Sequence, residues 1–497
     1  MHDDDRDEQE SKGVSRRDFV KGAIVGTVAL SVGCGGETIA DGDAGTATDA
    51  GARMDAGDAP DAGDAPDAGG DDAGTDAGPE PVPPPEDFDE SAADFPLGVA
   101  SGDVTPSAAI LWTRYVGSAS IELVVWRMEG DTYGPTAFVG GAAPIDGYVK
   151  VDVDGLEAGA RYRYAFFVLD GGERTVRSAI GRFRAAIAPD AMEPLWIGAV
   201  SCTNNSRSLA PLGQAAARDD LDVFLYLGDT TYNDGSTSLD EYRDDWQGQM
   251  GRDEYKALRG SVSALATWDD HEFDNNWDPE TFDADQYAAA VDTFFEHQPV
   301  RRDPANPDRV WKVMSWGRTA DIFVLDCRAE RMPSTRGDTD IYVSRLQMDW
   351  LKAGLSASTA MFKLIVNSVP ITDFPGAFDL QANDRWEGYP TQRDEILSHI
   401  DDESISGVLW ISGDFHLASS QRVSTSGPGS TQNEILVGPG AQFGNPLGLT
   451  LGGEQFDFGS TTNNFTALEL LPAMGRIRAH WIDGDGSAFE IHEYDIG

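Results

Sequence analysis

Leu195–Val200, Val223–Leu227, Ala264–Trp268 and Val408–Ser412 are apolar runs of strand length, and each is followed at once by side chains able to hold a metal ion. Cys202 follows the first, and Gly228-Asp229-Thr230-Thr231-Tyr232-Asn233-Asp234 follows the second. Asp269-Asp270-His271-Glu272-Phe273-Asp274-Asn275-Asn276 follows the third, and Gly413-Asp414-Phe415-His416 the fourth. Runs without polar interruption suit strands covered on both faces. Helical patterns separate them, at Ser208–Arg218, through Leu239–Gly260 and at Asp285–Glu296, Leu346–Gly354 and Gln392–Ile400. Further strands are expected at Thr319–Leu325 and Phe362–Val369, and late ones at Glu434–Val437, Phe465–Leu471, Arg476–Ile482 and Ala488–Tyr494. That order predicts an α/β layer followed by a β-rich C-terminal half, over residues 193–497. In open α/β sheets ligands bind beyond the carboxyl ends of strands, so the four clusters are expected to converge on one sheet edge.

Residues 93–188 read differently. Short alternating runs at Ala109–Tyr115, Ile121–Arg127, Tyr148–Val153, Arg161–Leu169 and Ser178–Arg184 predict a small antiparallel β-sandwich. Leu156-Glu157-Ala158-Gly159-Ala160-Arg161-Tyr162-Arg163-Tyr164 resembles the tyrosine corner of fibronectin-type domains. Upstream, residues 35–92 are an Asp/Ala/Gly/Pro tract with almost no large apolar side chain, which cannot offset its ordering entropy and reads as an extended acidic tether. Gly35 to Glu90 hold 17 acidic residues and one basic one, a net of −16 out of the chain's −48. Residues 1–34 begin with Ser15-Arg16-Arg17-Asp18-Phe19-Val20-Lys21, which resembles a twin-arginine export signal, and continue in the apolar stretch Gly22–Gly33, shorter than the roughly 18 residues of a spanning helix. Cys34 follows where a lipoprotein would be acylated. The expected location is therefore outside the cytoplasmic membrane: periplasm, cell surface, an outer-membrane lipoprotein or secreted. The only membrane contact expected is through a lipid anchor.

A net charge of −48 excludes nucleic acid as a partner held by bulk electrostatics. It does not exclude a phosphate ester, since bound cations supply their own positive charge. Three cysteines make a disulfide framework improbable, and a monomer is expected.

Ser201-Cys202, Gly228-Asp229-x-x-Tyr232, Thr267-Trp268-Asp269-Asp270-His271-Glu272 with Asp274-Asn275-Asn276, Trp386-Glu387-Gly388-Tyr389-Pro390 with Arg393, and Gly413-Asp414-Phe415-His416 together resemble the PhoD-like alkaline phosphatase and phosphodiesterase family of the calcineurin-type metallophosphoesterase superfamily. The resemblance covers residues 93–497 and implies a four-layer αββα sandwich behind the β-sandwich. It implies Cys202, Asp229, Tyr232 and His416 as ligands of a ferric ion, thiolate and phenolate being strong donors to Fe³⁺. Asp229 would bridge to a second metal held also by Asp270 and Asp414, with Asn276 and Asn367 as further oxygen ligands. The superfamily's usual Gly-His-x-His appears here as Gly-Asp-x-His, which hardens the second site toward Ca²⁺, with Mg²⁺, Mn²⁺ or Zn²⁺ as other occupants. Two metals roughly 3.5–4 Å apart would polarise the phosphoryl oxygens and generate a hydroxide for in-line attack on phosphorus. His271 would stabilise the developing charge or protonate the leaving oxygen, and Arg393 would either contact phosphate or only orient its own segment. Asp269 and Glu272 read as groups supporting the ligands, and Cys327, His297, His480 and His492 as structural.

The reaction implied is hydrolysis of phosphate esters. Thr230-Thr231 before Tyr232 and Asn233-Asp234 after it depart from the family pattern in the substrate cleft, so a phosphodiesterase or phospholipase D-like enzyme acting on lipid headgroups or nucleotides is the rival of the same mechanism. A catalytically degenerate surface metal-binding protein is the rival of another class. A competent ligand at every expected position speaks against it.

Overall fold

The computed structural model describes residues 82–204, 206–374 and 384–497. The export signal, Cys34 and the acidic tract up to residue 81 lie outside the described residues. The N-terminal part contributes β1 (Asp89–Glu90), β2 (Val99–Gly102), β3 (Ala109–Arg114), β4 (Ile121–Glu129), β5 (Thr132–Ala142), β6 (Tyr148–Val153), β7 (Arg161–Asp170), β8 (Glu173–Arg177) and β9 (Gly181–Arg184). Then come β10 (Leu195–Val200), α1 (Ala210–Ala216), β11 (Val223–Leu227), α2 (Leu239–Met250), α3 (Asp253–Ser261), β12 (Ser263–Thr267) and α4 (Ala284–His297). The second half holds β13 (Lys312–Trp316), β14 (Ala320–Val324), α5 (Arg345–Ala357), β15 (Phe362–Asn367), α6 (Pro390–Asp402), β16 (Val408–Ser412), β17 (Ala418–Arg422), β18 (Asn433–Leu436) and β19 (Phe456–Ser460). It ends in β20 (Asn464–Leu471), β21 (Arg476–Asp483) and β22 (Ala488–Asp495).

Among the described residues the strands form three sheets. One runs β22-β21-β20-β10-β11-β12-β2-β3-β6, a second β13-β14-β15-β16-β18-β17-β19, and a third β1-β8-β7-β4-β5 with β9 on β7. Side-chain alternation sorts the layers. Val223, Leu225 and Leu227 of β11 share a core with Ile322 and Val324 of β14, Leu364 and Val366 of β15, and Ile411 of β16, so the two larger sheets face each other. The opposite parity of β11, Phe224 and Tyr226, packs with Leu212, Trp246, Leu258 and Phe294 of α1–α4. On the far side, Ile365 and Trp410 pack with Leu351 and Leu355 of α5 and Ile396 and Leu397 of α6. Helices, two sheets and helices therefore stack as the expected four-layer αββα sandwich. The central strands are apolar on both parities because both faces are covered.

The N-terminal part is less separate than its sequence suggests. The tyrosine corner forms, with the Glu157 N–H donating to the Tyr162 hydroxyl at 2.6 Å. One layer of the small sandwich, however, is not its own sheet: β2 pairs in parallel with β12, which makes β2-β3-β6 an extension of the catalytic sheet. Gly102 sits at that junction, where an added Cβ would lie 2.8 Å from the Ala264 carbonyl oxygen. Nor does the linker run to residue 92, because β1 already pairs with β8 through Asp89–Val176 and Glu90–Arg177.

Candidate metal centre

Three of the four clusters follow neighbouring strands of the larger sheet, β10, β11 and β12, which are mutually parallel. The fourth follows β16 in the facing sheet. The site thus lies where the carboxyl edges of two sheets meet, not along one sheet as expected. Hydrogen bonds sew that seam: the Ser201 hydroxyl donates to the Val437 carbonyl at 2.9 Å, and Gly440 N–H to the Ser201 carbonyl at 2.9 Å.

The backbone turns sharply at the ligands. Cys202, Asp229, Asn276, Asp414 and His416 all have left-handed φ, between 51° and 64°. Holding a non-glycine residue there costs about 1–2 kcal/mol, and such conformations concentrate where surrounding structure fixes a functional side chain. Gly228, at φ 84°, lets the β11 loop pass directly against Asp269.

The side chains converge in overlapping sets. Ligand atoms of Cys202, Asp229 and His416 lie within 4.8 Å of one another, as do those of Asp229, Asp270 and His271, and those of Asp269, Asp270 and Asp414. The Tyr232 hydroxyl donates to Asp229 Oδ2 at 3.3 Å. The four residues expected around the first metal are therefore together, and Asp229 and Asp270 link them to Asp414. Burial, reinforced by Asp229, pushes the Cys202 thiol well above its usual range, and burial likewise raises the carboxyls of Asp229 and Asp414. Metal ligands must be deprotonated, so a cation binding here would displace these protons. Burial and the charge of His271 keep the pKa of His416 near 4, leaving the neutral imidazole that a metal requires.

His271, unlike His416, holds its proton. Burial alone would lower its pKa, but Asp229, its hydrogen bond to Asp234 and the charge of Asp270 raise it to about 10. Its Nδ1 lies 2.7 Å and 2.9 Å from the two Asp234 carboxylate oxygens, and its ring stacks at 4.1 Å on Tyr232. Asp234 thus orients the imidazolium. Burial works against ionisation of Asp270, yet Arg328, His271 and the Asn276 N–H at 2.7 Å pull it down to about 2.

Arg393 takes the second of its two expected roles, and Asn367 and Asn276 use their polar groups differently from expectation. Arg393 does not present a free guanidinium: it is buried and donates to the carbonyls of Ile371 (2.7 Å) and Val423 (3.2 Å) and to the Ser424 hydroxyl, bracing those loops. Asn367 spends its side chain on protein neighbours. Its Oδ1 accepts from Trp386 Nε1 at 3.0 Å and from the Cys327 thiol at 2.6 Å, and its amide donates to Ser412. Asn276 holds Asp270 through its backbone, while its side chain is exposed.

Arg328 is a further member of the centre, which no donor pattern in the sequence marks. It is fully buried, forks onto Asp269 at 2.5 and 3.0 Å, meets Asp384 at 2.6 Å, and lies 3.7 Å from Asp414 and 3.9 Å from Asp270. Its one local mark is position, Asp326-Cys327-Arg328 following β14 as the other clusters follow their strands. Glu272 supports the ligands as expected, by an unforeseen route. Its carboxylate accepts the N–H groups of Asp229 (3.0 Å), Thr230 (2.6 Å) and Asp269 (2.9 Å), clamping two ligand loops together.

Comparison with known proteins agrees with this geometry. Residues 196–446 match the PhoD-like phosphatase family, and residues 82–187 match the PhoD-like phosphatase N-terminal domain. Alkaline phosphatase D of Bacillus subtilis (strain 168) is 26% identical over 383 residues, which span 66% of this chain and 65% of that protein, just under two thirds of its length. The solved structure of PhoD superposes with a TM-score of 0.70 at 21% identity, covering 81% of this chain and 90% of that one. The purple acid phosphatase PPD1 from yellow lupin (Lupinus luteus) seeds gives 0.59 at 13% identity, covering 80% and 73%. These two show a shared fold. With a family model spanning half its length and the ligand sets assembled at the expected edge, the chain belongs to the PhoD-like phosphatase family.

Proposed function

We propose that this protein is an exported, two-metal hydrolase of phosphate esters. The observation that carries the reading is the overlap of donor sets through Asp229 and Asp270, which fits two adjacent cations rather than one. Cys202, Asp229, Tyr232 and His416 would hold a ferric ion, and Asp229, Asp270 and Asp414 a harder second ion such as Ca²⁺. Bound there, the metals would supply Lewis-acid polarisation of the phosphoryl group and a nucleophile at neutral or alkaline pH. The chain's own contribution to the proton balance is His271. Held by Asp234 through Nδ1, it keeps a proton on Nε2 for the departing oxygen. Glu272 and Arg328 keep the ligand loops and carboxylates in register without touching substrate. The twin-arginine-like segment at Ser15–Lys21, Cys34 and the acidic tract support delivery beyond the cytoplasmic membrane on an extended tether.

The test is one purified preparation assayed on a phosphate monoester and a phosphate diester, beside Cys202→Ala. Wild type should hydrolyse at least one ester and show a visible thiolate– or phenolate–iron absorption. Cys202→Ala should lose the absorption's thiolate component and at least about 100-fold in rate, the scale of an electrostatic stabiliser's removal. Equal, slow hydrolysis by both proteins would leave a metal-binding protein without catalytic function. The ratio of the two ester activities decides between monoesterase and diesterase.

A further inference from the structure

The loop from Ala441 to Asn445 touches three of the four residues around the first metal position. Ala441 N–H donates to the Cys202 carbonyl at 3.1 Å, and Asn445 N–H to the His416 carbonyl at 2.8 Å. Between them, the Gln442 amide lies within hydrogen-bond reach of the Tyr232 hydroxyl. Phe443, at the apex, is 74% exposed, although the loop that carries it is tied down on both sides. Against its ring lies Arg207, with the guanidinium carbon 3.1 Å from the ring centroid.

Arg207 is itself held in place from below. Its N–H donates to the Asn204 carbonyl at 3.2 Å, and its own carbonyl accepts from Arg252 Nη2 at 2.6 Å. Asn204 in turn bonds the Ala441 carbonyl at 2.9 Å, so the two loops form one rim. Among the described residues no carboxylate pairs with Arg207. One face of the guanidinium is covered by the ring, and its N–H edge is left for a ligand. A planar fork of this kind matches a carboxylate or phosphate group, and the ring beneath fixes its plane.

Resting on the proposed hydrolase reading, we infer that Arg207 and Phe443 form a specificity clamp for phosphate esters whose leaving group carries a second anion. The scissile phosphate belongs to the metal positions at Cys202, Asp229 and His416. The clamp stands on the rim whose loop bonds the Cys202 and His416 carbonyls, and the leaving group would extend along that rim. Its preferred substrates therefore bear a carboxylate or second phosphate on an aromatic or alkyl leaving group, the apolar part resting on Phe443.

The experiment compares phenyl phosphate with 4-carboxyphenyl phosphate, which differ by the one anion. In Arg207→Ala the ratio of kcat/KM values, carboxylated over plain, should fall about 10-fold, mainly through KM, the size expected for losing a charge-assisted hydrogen bond. Arg207→Lys should recover only part of it, since a lysine lacks the planar fork. The matching phosphonates, bound without turnover in calorimetry, should show the same contrast. A ratio unchanged within two-fold in Arg207→Ala, by turnover or by phosphonate binding, overturns the clamp. A wild type that binds the phosphonates with the predicted contrast but turns over neither ester would overturn the hydrolase reading and leave the clamp standing.

Discussion

Replacing Arg328 by methionine, close to it in length and neutral, tests how the second half of the metal centre is held together. The guanidinium is fully buried and serves four carboxylates: a fork onto Asp269, a contact with Asp384 at 2.6 Å, and approaches of 3.7 Å to Asp414 and 3.9 Å to Asp270. Removing one member of a buried, hydrogen-bonded ion cluster typically destabilises by about 3–5 kcal/mol, because the remaining charges stay unpaired. Asp269 and Asp384 account for most of that. Asp270 and Asp414 each lose a unit charge near 4 Å, a gross attraction of about 4 kcal/mol at an effective dielectric constant near 20, most of it offset by desolvation. These two carboxylates are also the ones a divalent cation would neutralise. The expected outcome is therefore conditional. In chelator-stripped protein, Arg328→Met should lower unfolding stability by about 3–5 kcal/mol, and saturating divalent cation should narrow the gap by about 1–2 kcal/mol. Arg328→Lys, which keeps the charge and loses the fork, should fall between. Denaturant titration of each protein, stripped and loaded, makes the measurement. A stripped Arg328→Met within about 1 kcal/mol of wild type, or a gap that cation leaves unchanged, refutes the assignment.

Glu272→Gln puts an amide N–H₂ among the backbone N–H groups of Asp229, Thr230 and Asp269. It should cost about 2–3 kcal/mol of stability by denaturant titration and lower metal occupancy measured by elemental analysis, and unchanged occupancy would remove its clamping role. Asp234→Asn withdraws a carboxylate that raises His271 toward about 10, so the alkaline limb of the pH–rate profile should move to lower pH. A limb that stays in place, or moves up, would show that a different group sets it.

The central strands were legible because both of their faces are covered, which leaves uninterrupted apolar runs. β10, β11 and β16 have the bounds expected of them, and β12 differs by one residue. β5 was not legible: its Thr132–Ala142 carries Gly134-Pro135 and Gly140-Gly141, reads as a turn, and is a strand only because β4 pairs with it. β17, Ala-Ser-Ser-Gln-Arg, has almost no apolar content and is made by its neighbours β18 and β19. In the site, residues that offer an unusual donor at a strand end could be read directly. Arg393 and Asn367 could not, because whether a polar side chain faces the centre or is spent on a neighbour depends on loop packing that leaves no local pattern. Arg328 was missed for the converse reason: an arginine after a strand suggests solvent, and only its four carboxylate neighbours, from Asp269 to Asp414, show it buried.

The pairing of β2 with β12 sets an order of events during synthesis. The Ser101 and Ser263 hydroxyls meet at 3.3 Å across 162 positions of chain. Until β12 has emerged from the ribosome, β2 and its two neighbours present a bare hydrogen-bonding margin, the kind that recruits stray strands from other chains. The β2 ladder therefore cannot close before residue 264 has been made, a non-local pairing of Gly102 with Ala264.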